Sequence, residues 1–254
     1  MNQKVNMRLA VALAGLLASG AGVVSPARAE VPSGPPTFSN PLIIDNAFFP
    51  FVPNGLKIFT GSDHGTKIGA KDYYLTETRT FEVNGTNVPC RVLVEEAYEA
   101  DELVERSFNY FAQSDDGTVY YFGEVVNNYV DGVIDNHGGS WLVGGPKQSL
   151  NDPPETGNAP IPAVFMPANP ELGDVFKPED LFPIVDETAE IVGVDLDVLV
   201  YGVKYDGAIK VEESTLLAPG TESKWYAPGV GVVKVQTKGE TLRLSFSTLV
   251  QTED

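Results

Sequence analysis

The chain has 254 residues, 43% of them hydrophobic, with 35 acidic side chains against 17 basic ones for a formal net charge of −18. That balance repels polyanions, so nucleic acid and anionic lipid are excluded as partners held by charge. A single cysteine excludes an internal disulfide, and two histidines leave little material for a zinc site.

The opening segment reads as a leader. Lys4 and Arg8 precede an apolar run from Leu9 to Val24, which ends at Ala27-Arg28-Ala29, a small-x-small cleavage pattern. Residues 1–29 are therefore expected to be a signal peptide, and the mature protein to be secreted or periplasmic. The run is short for the ~20 apolar residues of a transmembrane helix, and no later segment approaches that length, so no membrane span is expected. Removing the leader leaves 14 Lys and Arg against 35 Asp and Glu.

After the leader the chain repeats itself. Sliding it by 117 residues puts Val83, Gly85, Val94, Glu95 and Glu96 onto Val200, Gly202, Val211, Glu212 and Glu213, and Pro50 and Pro53 onto Pro167 and Pro170. We expect two tandem units, residues 30–145 and 171–254, joined by a Pro-rich connection at 146–170 within one compact domain. The unit is too long for a solenoid repeat.

Taken in chain order, the segments read as strands. "RTFEVNGTNVPCRVLVEEAYE" is broken by Asn84-Gly85, a hairpin turn signal. "LVERSFNYFAQSDDGTVYYFGEVV" runs strand, Asp116-Gly117, strand, with Phe108, Tyr110, Tyr120 and Phe122 at period two. Further turns are expected at Asp131-Gly132, Asp206-Gly207 and Lys238-Gly239, and one short helical turn at Pro178–Phe182. The seven prolines from Pro146 to Pro170 predict an extended linker along the sheet, the alternative being a lid. The predicted fold is an all-β antiparallel meander of ten to twelve strands. Its two sequence-related halves would form a large curved sheet, half-barrel or barrel.

Catalytic signatures are sparse. His64 and His137 lie in Gly-rich loops without metal-ligand spacing, Ser140 lacks a nucleophile elbow, and Cys90 sits on a valine-rich strand as a buried hydrophobe. No metal and no cofactor are expected. The carboxylates are the interesting class, because the pairs Glu95-Glu96 and Glu212-Glu213 occupy equivalent positions in the two units, and one member of each pair faces the concave or core side. Around a pseudo-two-fold axis two equivalent glutamates would converge, as an acid/base pair or a cation site. Glu95, Glu212, Tyr110 and Tyr226 form the candidate catalytic set. Phe108, Tyr110, Tyr120, Phe122, Trp141 and Trp225 form the candidate ligand-binding set.

At "NAFFPFVPNGLKIF", "NYFAQSDDGTVYYFGE" and "KWYAPGVGVVK" the chain resembles a family of secreted bacterial β-sheet proteins. Its members share an N-x-[FY]-F-P-x-x-P-G-like opening and a W-Y-A-x-G-V-G-x-V-K ending. The resemblance implies export and a β-sheet fold, and it brings no activity with it. The chain departs from the family pattern near Ala100, where "ADE" replaces an Asp-Gly turn.

The function expected from sequence is that of an exported protein binding an apolar small molecule or a glycan on an aromatic-lined sheet. The alternative is a secreted polysaccharide hydrolase or lyase using carboxylates and tyrosines, and a third reading is a structural envelope component. Oligomeric state is left open.

Overall fold

A computed structural model describes residue 31 and residues 35–249. The expected signal peptide at residues 1–29 lies outside the described residues. The first half supplies β1 (Leu56–Asp63), β2 (Thr66–Val83), β3 (Thr86–Glu99), β4 (Glu102–Gln113) and β5 (Val119–Val130). Short strands follow: β6 (Val133–Asn136), β7 (Trp141–Val143), β8 (Gly157–Ala159) and β9 (Ala163–Met166). The second half supplies β10 (Val175–Leu181), β11 (Val185–Val200), β12 (Val203–Ser214), β13 (Thr221–Ala227), β14 (Gly231–Gln236) and β15 (Glu240–Ser247).

The protein is all-β. All fifteen strands belong to one sheet, in the order β10-β11-β12-β13-β14-β15-β1-β2-β3-β4-β5-β7-β8, with β6 and β9 paired to β5. Every pairing is antiparallel except β7 with β8. β15 returns to β1, and β10 packs against β8 and β9, so the two ends of the sheet meet and the meander nearly closes into a barrel. Among the described residues no helix is long and apolar enough to cross a membrane.

Turn chemistry explains the long hairpins. Asn84 and Gly85 both lie at positive φ, 51° and 78°, as a two-residue hairpin turn of right-twisted strands requires. The β11–β12 hairpin turns at Tyr201 and Gly202, at φ 47° and 84° and displaced by 117 residues from the first pair. Asp131-Gly132 forms the expected β5–β6 turn.

Three local expectations are corrected. Asp206-Gly207 is not a turn: it lies inside β12, where the ladder steps from Val198↔Tyr205 to Leu196↔Ala208 and Gly207 takes φ 64°. Three steps of β12 span two of β11, which is a bulge. The segment at Pro178–Phe182 is not a helical turn, because Val175–Leu181 pairs as β10 with β11. The strand count exceeds ten to twelve because short strands add to it, β6 and β7 before the Pro-rich connection and β8 and β9 within it.

Two aromatic clusters lie on opposite faces of the same strands. Tyr110 packs on Phe81, Phe81 on Phe122, and Phe38 lies edge-on to both Tyr120 and Phe122 at 5.7 Å. The neighbouring residues Phe111 and Tyr121 stack at 4.7 Å and join Phe49, Phe165 and Trp141. Alternation of side chains along a strand separates Tyr110 from Phe111. The bidentate Arg79–Asp152 pair, almost wholly buried, ties the 146–162 segment to the first cluster, with Arg79 over the Phe81 and Tyr110 rings.

Candidate functional site

The interior of the barrel sets charged side chains among apolar and aromatic ones. Register places Lys57 opposite Asp72, Asp72 opposite Glu95, Glu95 opposite Ser107, and Ser107 opposite Val126. These five residues form a row across β1 to β5, and all of them line a cavity of about 100 Å³. The far wall comes from β10, β11 and β13, with Glu179, Glu187, Lys224 and Tyr226. In all, Asp72, Glu95, Glu105, Glu124, Glu179 and Glu187 face the cavity against the ammonium groups of Lys57 and Lys224.

The far wall concentrates like charge. Glu179 is the cross-strand partner of Glu187, and Glu213 that of Glu222. Two carboxylates directly opposed repel unless a proton or a cation stands between them. Lys224 answers the second pair, with an ion pair to Glu213 and a contact to Glu222 at 3.2 Å.

The electrostatics follow from burial. Loss of water pushes Glu222 up to about 8, assisted by Glu213 and Glu240 and opposed by Lys224. Glu240 rises to about 7 through burial, with the charge of Asp63 adding to it. Burial likewise raises Glu187, with Glu213 adding, and Asp72, with Glu95 adding; Glu95 is raised by burial against the pull of Lys224 and Lys57. Lys57 is lowered to about 8 by burial even though Asp72 and Glu95 favour its charge. Burial also works against the Lys224 ammonium, but Glu213, Glu222 and Glu187 outweigh it and hold its pKa above the usual lysine range.

Hydrogen bonds organise one side of the cavity. Asn109 Nδ2 donates to Glu95 Oε2 at 3.0 Å and to Ser107 Oγ at 2.8 Å, while the Tyr121 hydroxyl donates to Asn109 Oδ1. Asp72 is different. Its residue is 6% exposed, and Oδ1 has no hydrogen-bond partner among the described residues. A buried acceptor left unmatched costs about 1–3 kcal/mol. The groups around it, from Lys57 to Tyr226, are suited to holding a polar molecule by charge and hydrogen bonds. The described His, Cys, Asp and Glu side chains contain no group of three placed to hold one metal ion.

The residues singled out from sequence divide sharply. Glu95 and Tyr226 line the cavity. Glu212 does not, because its carboxylate lies half-exposed 2.6 Å from Lys210 Nζ, and Glu213 is the buried member of its pair. The expected convergence of Glu95 with Glu212 is thus not met. The bulge at Gly207 inserts one residue into β12, and one residue reverses the face of everything beyond it. In the first half of the chain the irregularity falls on β2 instead, where the steps from Tyr74 to Thr78 span only Leu93 to Arg91, so β3 keeps its alternation.

Tyr110, Tyr120 and Phe122 are buried in the cluster capped by Phe38 and Phe81, on the face of β4 and β5 away from the cavity. Phe108, partly buried, packs against the apolar core. Trp141 is 1% exposed and packs on Tyr121. Trp225 is half-buried and carries Lys234 4.1 Å from its ring centre, on the opposite face of β13 from Tyr226. None of these six side chains lines the cavity. His64 sits at the β1–β2 turn against Asp63, and His137 Nδ1 contacts the Val126 carbonyl at 2.8 Å.

Sequence reasoning missed Lys57, Asp72, Glu187 and Lys224. Each stands at an alternating polar position of a strand, a pattern shared by ordinary solvent-facing residues. Comparisons with protein-family models, with curated proteins and with solved structures found no match to this chain.

Proposed function

We propose that the protein is an exported binding protein that holds a small polar molecule inside its barrel. One observation carries this reading: six carboxyl and two lysine side chains line the interior where a purely structural barrel of side-chain-filling size would place apolar ones. Taking charges out of water is costly, and well-packed hydrophobic residues in their place are often neutral or stabilising. A charged lining with an unmatched Asp72 oxygen therefore speaks for an occupant rather than for stability. A small molecule carrying N–H or O–H donors suits such a lining better than an apolar one does.

The leader at 1–29 supports export. The turns at Asn84-Gly85 and Tyr201-Gly202, with strands of matching order on both sides, support descent from a duplicated unit. The hydrolase reading retains Glu95 and Tyr226 in the cavity, but its second candidate, Glu212, faces away.

Native mass spectrometry of the mature protein, purified gently from the organism that makes it, tests the proposal. A stoichiometric excess mass that disappears on denaturation is expected. A chain mass with no bound species, unchanged by denaturation, overturns it.

A further inference from the structure

The geometry points to a small organic cation as the occupant of the barrel interior, seated against Asp72 and Glu95. This inference rests on the binding reading above and names its ligand class. Six carboxyl groups face the cavity against two ammonium groups, and although burial favours the protonated forms of Asp72 and Glu95, a bound cation stabilises their ionised forms, so the site as a whole favours positive charge. Lys224 is held by Glu213 and Glu222, and Lys57 faces two carboxyl groups, Asp72 and Glu95, with its single charge.

Asp72 supplies the independent sign of a ligand. Its side chain is more than nine-tenths buried, lines the cavity, and presents Oδ1 without a hydrogen-bond partner among the described residues. An N–H donor carrying charge is the strongest complement to such an oxygen. The rest of the lining suits the organic part of the same molecule. Phe49, Phe59, Tyr74 and Tyr226 present aromatic rings to the cavity, and ring faces attract ammonium groups and their attached carbons. A bare metal ion fits less well, because the carboxylates are spread around the wall rather than gathered in threes. The volume, about 100 Å³, suits an amine of a few heavy atoms.

Three probes of matched size separate charge from shape: n-butylammonium, 1-butanol and butyrate, each titrated into the whole mature protein by calorimetry at neutral pH. We expect n-butylammonium to bind at least about ten-fold more tightly than 1-butanol, and butyrate not to bind, because like charges across a buried site are strongly disfavoured. Asp72→Asn, checked for folding by circular dichroism, is expected to abolish the preference for the cation. Should that variant not fold, Glu95→Gln serves the same purpose and is expected to reduce it. If 1-butanol binds as tightly as n-butylammonium, or if the cation preference survives both substitutions, the cation assignment is overturned while binding in the cavity stands. If none of the three binds, the cation assignment is overturned as well, and the native-mass measurement decides the binding reading separately.

Discussion

Glu95 and Glu212 stand ten residues beyond Gly85 and Gly202, the second residues of matching hairpin turns, yet they face opposite sides of the sheet. The bulge at Gly207, one of three register shifts between β11 and β12, puts the extra residue into β12 and places Glu213 rather than Glu212 beside Lys224. Glu212 and Glu213 should therefore behave unlike each other. Glu212→Gln loses only a half-exposed pair and is expected to change stability by less than about 1 kcal/mol. Lys224→Met leaves the buried Glu213 and Glu222 facing each other without a cation, and is expected to cost about 3–5 kcal/mol. Urea unfolding at neutral pH measures both, and equal effects would contradict the assigned faces.

Stability should fall as pH rises from about 4.5 to 8. Glu222, raised to about 8, and Glu240, raised to about 7, hold protons in the folded protein that the unfolded chain has released. Asp72, Glu95 and Glu187 are raised in the same direction. The folded state then binds more protons, so the contribution is full below the ordinary carboxylate value and is lost as pH climbs through the raised ones. Carboxylates lowered by their partners, such as Glu96 and Asp152, act with the opposite sign in more acid solution. Glu222→Gln imitates the protonated form and should flatten the slope, raising stability at the upper end by about 1–3 kcal/mol. Urea midpoints across this window give the test, and a midpoint that rises with pH would refute it.

Arg79 and Asp152 join the loop after β7 to the outer aromatic cluster through two hydrogen bonds of 2.9 and 2.7 Å. Arg79→Ala strands a buried carboxylate and is expected to cost about 3–5 kcal/mol. It should also open the 146–162 segment to limited proteolysis. Replacing both partners together, as Arg79→Met with Asp152→Leu, should recover much of the loss, because no charge is then left unpaired. Cleavage elsewhere in the chain, with this segment intact, would argue against the clamp.

Cys90 is fully buried, and burial raises its thiol well above the usual range. The thiolate is the reactive form, so labelling needs the sheet around β3 to open. Ellman's reagent is expected to react at the rate of global unfolding, and fast modification of native protein would show that β3 opens locally.

Legibility from sequence followed local chemistry. Asn84-Gly85 and Asp131-Gly132 announce their turns because those side chains tolerate positive φ. Tyr201 holds φ 47° without any such signal, so the matching turn was hidden, and Asp206-Gly207 imitated one because a bulge also uses a glycine at positive φ. Period-two aromatics marked a shared face for Tyr110, Tyr120 and Phe122. Which face looks into the cavity depends on how fifteen strands close, and that is not a property of any short segment. The charged lining was illegible for the same reason, since Lys57, Asp72 and Lys224 read locally as surface residues.

The seam between β1 and β15 pairs Lys57 with Ser247 and Asp63 with Glu240. Contacts so distant along the chain make folding a non-local event, governed by the search for ends rather than by hairpin formation, and such topologies fold on millisecond-to-second timescales. Until Glu240–Ser247 has been delivered, β1 lacks one of its two neighbours and β14 is a raw edge. A nascent chain thus keeps its two halves unjoined for nearly its whole length and joins them in one late step.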